Sequence, residues 1–209
     1  MIKRPIILVD VETSGLDEDE NEVIEIYATA MNYWDLSDHH AGPFHAYIKP
    51  ERPETAQADA IRIVGSGWTK ACSEGLQAKV VWQNFKEYVD SINPGNGYAT
   101  APVVFAWNQD FDRKFITKAM IKHKIVTKGK FGYEWPWAWM FDAMDIAYFL
   151  FNSDPSVYDL KMQTILAKAG LKRDNADVHA ASEDVELMKQ WMRRALKFGR
   201  ECNQRMKMT

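Results

Sequence analysis

The stretch that most constrains this chain is Ile6 to Leu16, IILVDVETSGL. It opens on the apolar run Ile6-Ile7-Leu8-Val9, short, rich in β-branched residues and preceded by Pro5, which predicts a buried central strand. Asp10 and Glu12 follow two residues apart. Strand side chains alternate, so both carboxylates leave the same face. Like charges at the end of a buried strand repel one another and resist desolvation. Such a pair persists where something offsets its charge, and a divalent cation or an Arg/Lys partner are the usual candidates. The bland alternative is an N-cap, since Asp or Thr at a strand end often caps the next helix. The rest of the chain decides between them.

With 209 residues, 46% of them hydrophobic and 26% charged, the chain has enough material for one domain with a sizeable core. Cys72 and Cys202 are the only cysteines, too few for a disulfide framework, which points to a reducing compartment. No run approaches the length of a transmembrane helix. Lys3 and Arg4 imitate the start of a signal peptide, but the apolar run behind them is short and ends in Asp10, so the expected location is cytoplasmic, with no membrane contact. The net charge of −3 is an average. Residues 1–60 hold 4 Lys/Arg against 13 Asp/Glu, residues 61–154 hold 11 against 9, and residues 155–209 hold 11 against 7. Acid near the first strand and base further on suit a metal site inside a phosphate-binding surface, and equally suit solvated faces with no anionic ligand.

After an acidic turn at Glu18 to Glu22, Val23 to Met31 reads as a second strand and Pro43 to Ile48 as a third. That is the antiparallel start of a mixed sheet. Residues 51–75 read as loop and short helix. Leu76, Val80, Tyr88 and Ile92, with Phe85 and Val89 near the same stripe, predict an amphipathic helix over 76–92. Val103 to Ala106 is a parallel strand, followed by a helix from Asp110 to Ile125 and a loop insertion at 128–139. Phe141 to Phe151, Leu160 to Ala169 and Val178 to Phe198 read as helices. The whole is an α/β sandwich in a single domain over 1–198, with a basic, frayed tail from Gly199.

Three later features join Asp10 and Glu12: Asp112, where a helix begins after the 103–106 strand; Asp184, on the last helix; and His179, five positions before Asp184. Each has an ordinary reading as a first-turn acid, an exposed face residue or a surface histidine. In this order and on these elements they resemble the DEDDh, or DnaQ-like, 3′–5′ exonucleases. Asp10-Val11-Glu12-Thr13-Ser14-Gly15-Leu16 matches that family's D-x-E-T-x-G-L, Asn108-Gln109-Asp110-Phe111-Asp112 its N-x-x-F-D, and His179-x4-Asp184 its third motif. Asp159 to Leu171 is similar to the helix before that third motif. There are departures. Trp107 precedes Asn108 where His is common, Ile63 to Thr69 replaces an Ile-His-Gly segment, and Trp135, Trp137 and Trp139 enlarge the loop.

The resemblance implies a ribonuclease H-like mixed sheet, antiparallel over its first three strands and then parallel, with helices on both faces. It implies hydrolysis of phosphodiester bonds from the 3′ end of single-stranded nucleic acid, DNA favoured, releasing 5′-nucleoside monophosphates. Asp10, Glu12, Asp112 and Asp184 would hold two Mg²⁺ or Mn²⁺ ions, and His179 would act as the general base. Thr13, Gly15 and Leu16 would hold the terminal nucleotide, with Leu16 wedged under its base, and Ile63, Val64 and Asn108 are further contacts. Lys114, Lys118 and Lys122, spaced i, i+4, form a stripe from which Lys118 and Lys122 are expected to follow the substrate backbone. The Trp-rich loop reads as a stacking platform or as core. The rival expectations are an RNA-trimming exoribonuclease, a proofreading subunit for a polymerase or another replication or repair protein, and a non-catalytic nucleic-acid-binding relative. A homodimer is compatible with all of them.

Overall fold

The computed structural model describes residues 4–93, 95, 100–129, 132–133, 140–172 and 180–206, with backbone alone at 128–129 and 132–133. Strands β1 (Ile6–Thr13), β2 (Val23–Met31) and β3 (Phe44–Tyr47) come first. Helices α1 (Ala58–Val64), α2 (Ser66–Glu74) and α3 (Ala78–Ile92) follow, then β4 (Val103–Ala106) and α4 (Gln109–Lys122). A two-residue hairpin, β5 (Lys128–Gly129) with β6 (Gly132–Tyr133), precedes β7 (Met140–Asp142). Helices α5 (Ala143–Phe151), α6 (Met162–Lys168) and α7 (Ala181–Met206) complete the chain.

The main sheet has the order β3-β2-β1-β4-β7. β3 with β2 and β2 with β1 pair antiparallel, whereas β4 pairs parallel with both β1 and β7. The mixed sheet expected from the sequence is therefore the one observed. β1 alternates between two cores. Ile7, Val9 and Val11 pack towards α3 and α4 with Trp82, Phe85 and Ile116, while Ile6 and Leu8 pack towards α5 to α7 with Val185, Met188 and Trp191. Each such fully buried side chain contributes roughly 1.5–3 kcal/mol. Asp10 and Glu12 share the parity of Ile6 and Leu8, so the carboxylates project on the α7 side.

Several expectations are corrected. The apolar stripe of α3 is Ala78, Val81, Trp82, Phe85, Val89 and Ile92. Leu76 lies ahead of the helix, bridged to Ile48, and both Leu76 and Val80 are exposed. Phe141 begins no helix: residues 140–142 add the last strand to the sheet edge, and Asp142 then caps α5 by accepting from the Met144 N–H at 2.9 Å. The chain does not fray at Gly199. α7 continues to Met206, held by Arg200, whose guanidinium donates to the carbonyls of Tyr33 and Trp34. Trp135, Trp137 and Trp139 lie outside the described residues. Among the described residues no helix is long and apolar enough to cross a membrane.

Candidate active site

Carboxylate oxygens of Asp10, Glu12 and Asp184 lie within 4.8 Å of one another. β1 supplies the first two by its alternation. Asp184 arrives on the buried stripe of α7, between Ala181, Val185 and Met188. A carboxylate on an apolar stripe is out of place in a helix that only packs, and its 3% exposure shows that it points at the sheet.

Asp112 enters from the other side. The parallel β1–β4 ladder stops at the pair Leu8–Phe105. Beyond it, Val11 donates its N–H to Asp112 Oδ1 at 3.1 Å. Asp112 is 2% exposed, and burial pushes its pKa well above the usual carboxylate value despite the backbone donors that lower it. Asp10 is raised in the same way, by burial first and then by the charges of Asp112, Glu12, Asp184 and Glu25. A like-charged, desolvated group of this kind is stable in ionised form when a cation joins it. The donors are all hard carboxylate oxygens, which suits a divalent cation of the Mg²⁺ or Mn²⁺ type.

The loop after β1 is tied down by Thr13 and Gly15, which the motif had pointed to, and by Asn21, which it had not. Thr13 Oγ1 donates to the Gly15 carbonyl at 2.6 Å, and Asn21 Oδ1 accepts from the Asp17 N–H at 3.1 Å while its Nδ2 donates to the Thr55 carbonyl. A Cβ on Gly15 would sit 2.2 Å from Asn21 Oδ1, so any larger residue there would have to displace the buried, hydrogen-bonded Asn21 amide. Leu16, in the same loop, is left 76% exposed. Asp142 is the second omission. Its two carboxylate oxygens accept from the N–H groups of Asn108 (3.0 Å) and Gln109 (3.1 Å), holding Asn108 at φ +62° and fixing the start of the helix that carries Asp112. Only the polarity of Asp142 after an apolar run hinted at this. Trp107 donates its indole N–H to the Leu160 carbonyl at 3.1 Å and meets Trp191 edge-on, so it braces β4 against α7.

Two substrate-contact expectations change. Val64 is buried with Ile24 and Ala71 and cannot face a base, whereas Ile63 is exposed. Lys118 and Lys122 do not form a free cationic track. Lys118 pairs with Asp19, and Lys122 pairs with Glu22 (2.9 Å) and Glu51 (2.7 Å), across a cleft on the α3/α4 side of the sheet. Their charge is already met within the protein. Replacing both with Ala is therefore expected to change the slope of log affinity against log salt by less than about half a unit, where two lost phosphate contacts to a single strand would change it by about 1.4. A salt series of oligonucleotide binding in Ca²⁺ reads the difference. His179 lies outside the described residues.

A family model described as exonuclease, that of RNase T, matches residues 7–191. The chain belongs to the RNase T exonuclease family. Ribonuclease T of Vibrio cholerae serotype O1 (strain ATCC 39315 / El Tor Inaba N16961) is 24% identical over 190 residues, 86% of this chain and 76% of that protein. Among solved structures, the zinc-bound complex of E. coli ExoI with single-stranded DNA matches with a TM-score of 0.71 at 15% identity. The nuclease domain of 3′hExo, a DEDDh family member bound to rAMP, also matches with a TM-score of 0.71, at 16% identity. The chain covers 94% of the 3′hExo domain but spans only 40% of ExoI, with 94% and 91% of its own length aligned. The ribonuclease H-like exonuclease fold anticipated from the motifs is the fold present.

Proposed function

We propose that the protein is a divalent-metal-dependent 3′–5′ exonuclease acting on single-stranded nucleic acid. The observation that carries this reading is the convergence of Asp10, Glu12 and Asp184 within 4.8 Å, with Asp112 buried beside them, in a chain of the exonuclease family. Asp10, Glu12, Asp112 and Asp184 would hold two Mg²⁺ or Mn²⁺ ions, which supply Lewis acidity for an in-line phosphoryl displacement. His179, by its place in the third motif, takes the proton from the attacking water. Asp112 can do its part only because Asp142 and Val11 fix it. Leu16 and Ile63, both exposed apolar side chains, would offer surfaces for the terminal base, and the hydrogen bond from Thr13 to Gly15 sets the loop that carries Leu16. The products are 5′-nucleoside monophosphates.

Single-stranded DNA is the favoured substrate. RNA trimming is the second reading, supported by the ribonuclease T likeness. A matched pair of single strands, one deoxy and one ribo, separates them, since the two differ only at the 2′-hydroxyl and thymine methyl. A kcat/KM at least tenfold higher on DNA is the expected result; the reverse ratio would reassign the enzyme to RNA.

A further inference from the structure

Glu25 of β2 is the most deeply buried carboxylate among the described residues, 1% exposed. It stands directly opposite Glu12 in the β1–β2 ladder and opposite Tyr47 in the β2–β3 ladder. Residues opposed in a ladder share a face, so Glu25 lies on the same side of the sheet as the metal-binding carboxylates, one strand away. Glu25 Oε1 is met by His45 Nε2 at 2.8 Å. Its Oε2 has no partner at ordinary hydrogen-bond geometry, with only the Tyr47 hydroxyl close enough to interact with the carboxylate, and it lies where a Cβ built on Gly67 would come within 3.5 Å of it.

A buried carboxylate with one oxygen unmet is costly to keep. A glutamine would fill the same space and keep a hydrogen bond to His45 at lower cost, so hydrogen bonding to His45 does not account for an acid here. What the acid adds is negative charge next to a site whose carboxylates already repel one another, which raises the cost of the empty site and lowers that of the filled one.

We infer that Glu25 is a positioning residue for the metal centre: a fifth carboxylate that ligates nothing but strengthens divalent-cation binding through its field across the strand pair at Glu12. This rests on the exonuclease reading of the site. It is consistent with Glu25 being one of the charges felt by Asp10. His45, partly exposed at the edge strand, orients the carboxylate and leaves Oε2 on the dry side. In a region of reduced dielectric, one further negative charge on the same face of the sheet, one strand from Glu12, is expected to strengthen divalent-cation binding by about an order of magnitude.

The test is isothermal titration of Mn²⁺ into the purified protein without nucleic acid, comparing wild type with Glu25→Gln and Glu25→Asp. Expected are roughly tenfold weaker binding in Glu25→Gln and a smaller loss in Glu25→Asp, which keeps the charge and alters the shape. The metal-free melting temperature of Glu25→Gln should equal or exceed that of wild type. Unchanged Mn²⁺ affinity in Glu25→Gln would overturn the inference while leaving the exonuclease reading intact. Equal losses in the two variants would overturn it as well, by showing that shape matters and charge does not. A Gln variant that does not fold would overturn it too, because the charge would then serve the fold. A wild type that takes up no Mn²⁺ would overturn the metal centre itself, and this inference with it.

Discussion

Asp10→Asn is expected to lower the rate of cleavage by roughly four orders of magnitude while making the metal-free protein more stable. Both effects have one cause. Asp10 is held where its charge is disfavoured by burial and by its fellow carboxylates, so its pKa stands well above the ordinary value. Between the ordinary and the raised value the folded protein binds a proton that the unfolded chain has released. Stability from this group is therefore greatest at low pH and is lost as pH rises through the raised folded value. At neutral pH the wild type carries that penalty and the Asn variant does not. A melting temperature about 2–6 °C above wild type is the expected gain in metal-free buffer. Adding Mg²⁺ should raise the wild type and move the variant much less. Calorimetric scans from pH 5 to 8 check the sign. A wild type that becomes steadily more stable towards pH 8 while Asp10→Asn does not would contradict it.

His179→Ala is expected to cost about 10²–10⁴ in turnover, the range for losing a general base, while Mn²⁺ affinity stays within about twofold. The loss belongs in kcat because the residue acts on the attacking water and does not hold the strand. In the wild type, kcat should fall as pH is lowered through the range in which an imidazole takes up its proton, and the variant should lack that limb. Stopped assays at saturating oligonucleotide across pH 5.5–8.5 read both. Equal turnover by the variant at neutral pH would leave activation of the water to the metal alone.

Much of the fold was legible because β1 announces itself. An apolar run closed by Asp10 and Glu12 gives a strand, its depth and the face its carboxylates take, all from alternation. Asp184 was found by spacing from His179 in a known order of motifs, not from its helix, whose pattern reads equally well with Asp184 exposed. What escaped reading was set by tertiary contacts. Asp142 looks like a surface acid until α4 and α5 both present N–H groups to it. Glu25, set in an apolar strand, is unremarkable until the register places it opposite Glu12. The lysine stripe has the spacing of a phosphate track, but spacing along one helix cannot show that Asp19, Glu22 and Glu51 stand across from it. Val64 and Ile63 are adjacent, and only the packing of α1 on Ile24 decides which of them turns inward.

The central claim, that the carboxylate cluster is the metal centre of a 3′–5′ exonuclease, is tested most directly by a time course on a 5′-labelled single strand. Wild type and Asp10→Asn, purified side by side, are compared in Mg²⁺ and in EDTA. In wild type with Mg²⁺ the labelled strand should shorten one nucleotide at a time from its 3′ end, with no early labelled mononucleotide, and should stay intact in EDTA and with the variant. Immediate release of labelled mononucleotide, or shortening that persists in EDTA or in Asp10→Asn, would contradict it.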